Sequence, residues 1–111
     1  MKTDGQHVIA DIWLNESQTM GVIIDAAKGA LKKGGMTVVG EARHEFGGEA
    51  VTAVWILAES HFSLHYFPER LYIALDCFTC GDEGQPLVSV ASMCESIGAA
   101  SADIRLLKRG G

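Results

Sequence analysis

Two β-branched, apolar runs, Met36 to His44 and Ala50 to Ala58, flank Gly47-Gly48-Glu49, and such a pattern folds as adjacent strands joined by a short turn. The second run leads into Ala58-Glu59-Ser60-His61-Phe62-Ser63-Leu64-His65-Tyr66-Phe67-Pro68-Glu69, and Cys80 follows within Asp76-Cys77-Phe78-Thr79-Cys80-Gly81. A strand core needs no serine, paired histidines, carboxylates or thiol. Buried without partners these groups cost stability, so their concentration after an apolar run marks a candidate site.

The remaining elements assemble around this hairpin. His7 to Leu14 alternates as a strand, with Val8, Ala10, Ile12 and Leu14 on one face and Ile9, Asp11 and Trp13 on the other. Asn15-Glu16-Ser17 offers helix caps, and Met20, Ile23, Ile24, Ala27 and Leu31 then keep helical spacing until Gly34-Gly35. Leu71 to Phe78 reads as a further strand and residues 81–84 as a loop. Pro86 opens a second helix with Leu87, Val90, Cys94 and Ile97 inward, and Asp103 to Lys108 is the last strand. The order β-α-β-β-β-α-β predicts an α+β two-layer sandwich, both helices on one face of a mainly antiparallel sheet.

At 111 residues, 48% apolar and 21% charged, the chain fits one domain, residues 1–111, with core enough to fold without metal or disulfide staples. A net charge of −5 speaks against a nucleic-acid partner, which would call for a basic face. The run Ala50 to Ala58 is too short to span a bilayer and Met1 to Gln6 is not a secretory start, so no membrane association and a cytoplasmic location are expected. Three cysteines without an export signal predict free thiols. Cys77 and Cys80, three apart in a strand, point to opposite faces and cannot chelate together, so no metal is expected.

Glu59-Ser60-His61, Leu64-His65-Tyr66-Phe67-Pro68-Glu69 and Phe78-Thr79-Cys80-Gly81 together resemble the signature of the short prokaryotic S-adenosylmethionine decarboxylases, which are pyruvoyl enzymes made as proenzymes. The resemblance implies autocatalytic cleavage between Glu59 and Ser60 into residues 1–59 and 60–111. The Ser60 hydroxyl attacks the Glu59 carbonyl, the amide becomes an ester, and elimination followed by loss of ammonia leaves a pyruvoyl group at position 60. By the same resemblance His65 is the processing base, Thr52 the hydroxyl that steadies processing and Cys80 the proton donor in decarboxylation. Phe46, Phe67 and Glu69 correspond to substrate-binding positions, the aromatic rings for adenine and the carboxylate for ribose. Neither pyridoxal phosphate nor metal is then required. The implied assembly is a homodimer with sites at the interface, each Ser60 and Cys80 meeting the His65 and Thr52 of the other copy, since Thr52 and Ser60 would lie roughly 26 Å apart along one straight strand.

Each residue also has a plainer reading. Cys80 could be a small buried hydrophobe, Thr52 an ordinary strand residue, Phe46 a packing residue and Glu69 a surface charge. The chain departs from the family pattern at Tyr66-Phe67, where the family has Thr-Trp, at Val51-Thr52-Ala53, and in a first loop lacking the usual cysteine. These departures touch the substrate pocket more than the self-cleaving core. The expected reaction is decarboxylation of S-adenosylmethionine for spermidine synthesis. A pyruvoyl-dependent decarboxylase of ornithine or arginine is the alternative, and an uncleaved binding or regulatory relative is a second. A serine hydrolase fits poorly, because Ser60 lacks the glycines of a nucleophile elbow.

Overall fold

The computed structural model describes residues 3–80 and 84–111; the expected loop at 81–84 therefore lies, but for Gly84, outside the described residues, as does the start at 1–2. Among the described residues, six strands and two helices follow the order β1 (Gly5–Trp13), α1 (Met20–Lys33), β2 (Val38–Gly47), β3 (Ala50–Leu57), β4 (His61–Phe67), β5 (Tyr72–Cys80), α2 (Pro86–Ser96), β6 (Ser101–Arg109), with a 3-10 turn, Pro68–Arg70, between β4 and β5. The strands form one sheet in the order β2-β3-β4-β5-β1-β6, and every neighbouring pair is antiparallel.

Strict alternation makes one face of this sheet apolar. Val8, Ala10 and Ile12 of β1, Trp55 and Leu57 of β3, Phe62, Leu64 and Tyr66 of β4, and Ile73, Leu75 and Cys77 of β5 are all buried. The helices cover this face through Ile23, Ile24, Ala27, Ala30 and Leu31 of α1 and Val90 and Met93 of α2. Each large side chain taken fully out of water contributes about 1.5–3 kcal/mol. The predicted α+β two-layer sandwich with two helices on one face is the observed architecture.

The sheet holds one strand more than expected, β4. Its residues His61-Phe62-Ser63-Leu64-His65-Tyr66-Phe67 alternate polar and apolar, which is the period of a half-buried strand; the polar members are simply its open face. Two finer expectations also shift. The first helix is capped by Thr19, whose hydroxyl accepts from the Val22 N–H at 3.2 Å, rather than by residues 15–17. In α2, Pro86 occupies the first turn and sets Ser89, Val90, Met93 and Ile97 inward, leaving Leu87 44% exposed one step around the helix. The β2–β3 hairpin closes through Gly47, Gly48 and Glu49, all with positive φ, a geometry that costs glycine little.

Candidate active site

The open face of the sheet carries the polar side chains that the core rejects, and the register gathers them into separate groups. The first lies where β3 turns into β4. Ala58, Glu59 and Ser60 form that connection, and the Leu57 N–H donates to the Ser60 carbonyl at 2.9 Å across it. Cys80 ends β5 beside it, and its backbone N–H donates to Ser60 Oγ at 3.3 Å. The Glu59–Ser60 peptide bond thus sits in a tight turn, with the serine oxygen held against the backbone of Cys80, whose side chain is half-buried. Cys77 behaves differently: it points into the core, and burial pushes its thiol up to about 12. The two cysteines do face opposite ways, and all three cysteines of the chain are free thiols.

The second group forms where β3 and β4 run side by side. Thr52 lies directly opposite His65, and Thr52 Oγ1 and His65 Nδ1 are 3.0 Å apart. When the hydroxyl accepts from Nδ1–H, the other ring nitrogen keeps its lone pair and can take a proton. Around this pair Phe46, Tyr66, Phe67 and Glu69 line a pocket of about 400 Å³. Phe46 is 64% exposed and packs edge-on against His44 with 4.6 Å between centroids. Phe67 stacks on Tyr72, which in turn lies against Trp13, so an aromatic row extends from the pocket along the open face. The expected substrate residues therefore share one pocket with the expected processing pair. A packing role for Phe46 does not fit that exposure.

The two groups do not meet within one chain. Five residues of extended strand separate Ser60 from His65, roughly 16 Å at about 3.3 Å per residue.

A third group was not assigned from the sequence. Asp76 lies opposite Ser63 and accepts from the Ser63 hydroxyl, from His7 Nε2 at 2.7 Å and from His61 Nε2 at 3.0 Å. Burial alone would push the Asp76 carboxyl up, but the hydrogen bonds from Ser63, His7 and His61 outweigh it and hold the group below its ordinary range. The signal was present in the alternation of Tyr72, Ala74, Asp76, Phe78 and Cys80, which puts Asp76 and Cys80 on one face once β5 is recognised to run to residue 80.

Comparison with known proteins places this geometry in a class. The family model for S-adenosylmethionine decarboxylase matches residues 6–110. An S-adenosylmethionine decarboxylase proenzyme 2 of Halalkalibacterium halodurans is 37% identical over 117 residues, covering 99% of this chain and 89% of the relative. A proenzyme of the same description from the archaeon Methanococcus maripaludis is 32% identical over 117 residues, covering 99% and 93%. The crystal structure of the adenosylmethionine decarboxylase from Aquifex aeolicus VF5 superimposes with a TM-score of 0.86 at 26% identity, over 99% of this chain and 93% of that one. Fold and sequence alike mark a carboxy-lyase. The chain belongs to the S-adenosylmethionine decarboxylase family. None of its helices, among the described residues, is long and apolar enough to cross a membrane.

Proposed function

We propose that this chain is a proenzyme that cleaves itself between Glu59 and Ser60 and then decarboxylates S-adenosylmethionine, yielding the aminopropyl donor for polyamine synthesis. The observation that carries the reading is the hydrogen bond from the Cys80 backbone N–H to Ser60 Oγ, which brings the hydroxyl and the residue that bears a thiol to one turn. In processing, Ser60 Oγ adds to the Glu59 carbonyl and the peptide nitrogen is displaced, leaving an ester. A base removes the α-proton of residue 60, and elimination frees residues 1–59 with Glu59 as a new carboxylate. Hydrolysis at position 60 then releases ammonia and leaves a pyruvoyl group as the new terminus of residues 60–111.

The residues present fit that group: a break at this turn leaves a chain end on the open face, next to a thiol that can hand a proton to substrate carbon. The pyruvoyl ketone supplies the electron-withdrawing function that pyridoxal phosphate provides in other decarboxylases. Phe46 and Phe67 offer faces for an adenine ring, and Glu69 a carboxylate for ribose hydroxyls, in the pocket that also holds His65 and Thr52. Because that pocket and Ser60 are separated on one chain, the complete site takes Ser60 and Cys80 from one copy and the His65–Thr52 pair with its pocket from a second, in a homodimer.

Intact mass spectrometry tests the first claim: two fragments split after Glu59, the second lacking a free amine, are expected. One unbroken chain after prolonged incubation would refute it and leave the uncleaved relative. Carbon dioxide release from S-adenosylmethionine, ornithine and arginine tests the second, and a preference for a free basic amino acid would overturn the substrate.

A further inference from the structure

The cluster around Asp76 stands one residue from Ser60, yet neither the proposed cleavage nor the proposed decarboxylation uses it. His7 Nε2, His61 Nε2 and an Asp76 oxygen lie within 4.8 Å of one another, a spacing that invites a metal. Arg109 argues otherwise. Its guanidinium nitrogen lies 3.3 Å from His7 Nδ1, while its carbon sits 5.3 Å above the Phe78 ring. A guanidinium can only donate, so His7 Nδ1 must accept and Nε2 must carry the hydrogen. A protonated Nε2 donates to Asp76 and has no lone pair for a metal. The fixed cation would also oppose a second one. Asp76 is thus a hub of three donated hydrogen bonds, drawing together β4, β5 and β1, with β6 reached through Arg109.

What the hub grips is informative. His61 is the first residue of β4 and lies opposite Phe78, two residues before Cys80. Phe78 packs against the rings of both His7 and His61, at 5.5 and 6.0 Å, and these two rings lie 6.0 Å from each other, so the three form one aromatic cluster. Fixing the His61 side chain therefore fixes the direction in which the backbone enters β4 from residue 60, relative to the strand that delivers Cys80. Reactions within a chain depend steeply on such alignment: a displacement near 1 Å costs on the order of 100-fold.

Resting on the reading of Ser60 as the self-cleaving residue, we infer that Asp76 is a positioning residue for it: Asp76 holds His61 so that Ser60 Oγ stays aligned with the Glu59 carbonyl for the acyl shift.

The test measures cleavage of freshly made proenzyme over time by intact mass, with folding followed separately by circular dichroism. His61→Leu and Asp76→Asn should each slow cleavage by about tenfold or more. His61→Gln, whose amide reaches where Nε2 was, should recover most of the rate, and the double variant His61→Leu/Asp76→Asn should be no slower than the slower single one. Hydroxylamine, which cleaves an ester but spares a peptide bond, reads the shift directly. It should release little fragment from His61→Leu. Wild-type rates in both single variants, or effects that multiply in the double one, would overturn the inference while leaving the Ser60 reading intact. Should Asp76→Asn not fold, the His61 variants decide: equal rates for His61→Leu and His61→Gln would overturn it. A wild-type chain that never cleaves would instead remove the reading on which the inference rests.

Discussion

Ser60 and Cys80 share a hydrogen bond but not a task, so substitutions should separate them. Ser60→Ala should remain one chain, because no oxygen is left to attack Glu59. Cys80→Ala should still split, since its contribution to that contact is a backbone N–H, yet lose turnover by about 100-fold or more for want of its proton donor. Intact mass and carbon dioxide release read the two effects. The thiols should also sort by environment. At pH 8 iodoacetamide should leave Cys77 unmodified in folded protein, because burial pushes its thiol up to about 12, while Cys80 reacts; peptide mass mapping reports the order. At this scale the sequence made Ser60, His65 and Cys80 visible as candidates, through their residue types and their match to a family signature. His7, His61 and Asp76 stayed unassigned because their meaning is the convergence of three strands, and no spacing along the chain encodes which strand lies beside which.

The elements divide into those whose local signals sufficed and those that needed their neighbours. The first helix begins at Thr19, and Thr19→Ala should cost about 1 kcal/mol, seen as a lower urea midpoint with unchanged slope. Leu64 of β4 is fully buried, and Leu64→Ala should cost about 2–5 kcal/mol by the same measurement. The strand that Leu64 anchors was hidden behind its own polar residues. The alternation of His61, Ser63 and His65 with Phe62, Leu64 and Tyr66 is legible as a strand and equally as a site. Both readings are compatible, because the open face of β4 carries the polar candidate residues while the other face builds the core. The second helix starts at Pro86 with Val90 and Ile97 inward as expected, but Ser89 and Met93 are buried where Leu87 and Cys94 were expected, because the packing partners decide among adjacent positions.

For the molecule as a whole, the Asp76 carboxylate links folding to pH. Its native pKa lies below the unfolded value, so its contribution is complete above the ordinary aspartate range and is lost as pH falls through the native value. Between about pH 5 and about pH 3 wild-type protein should therefore lose more stability than Asp76→Asn, as read from urea midpoints. The order β2-β3-β4-β5-β1-β6 carries another consequence once the Glu59–Ser60 bond is severed. Residues 1–59 own β1, β2 and β3, and β1 lies between β5 and β6, both of which belong to residues 60–111. The pieces are thus interlaced, like fingers of two hands, and a nicked molecule has no seam along which to part. The two fragments should co-elute on size exclusion in native buffer and separate only in denaturant; fragments that drift apart without it would contradict this topology.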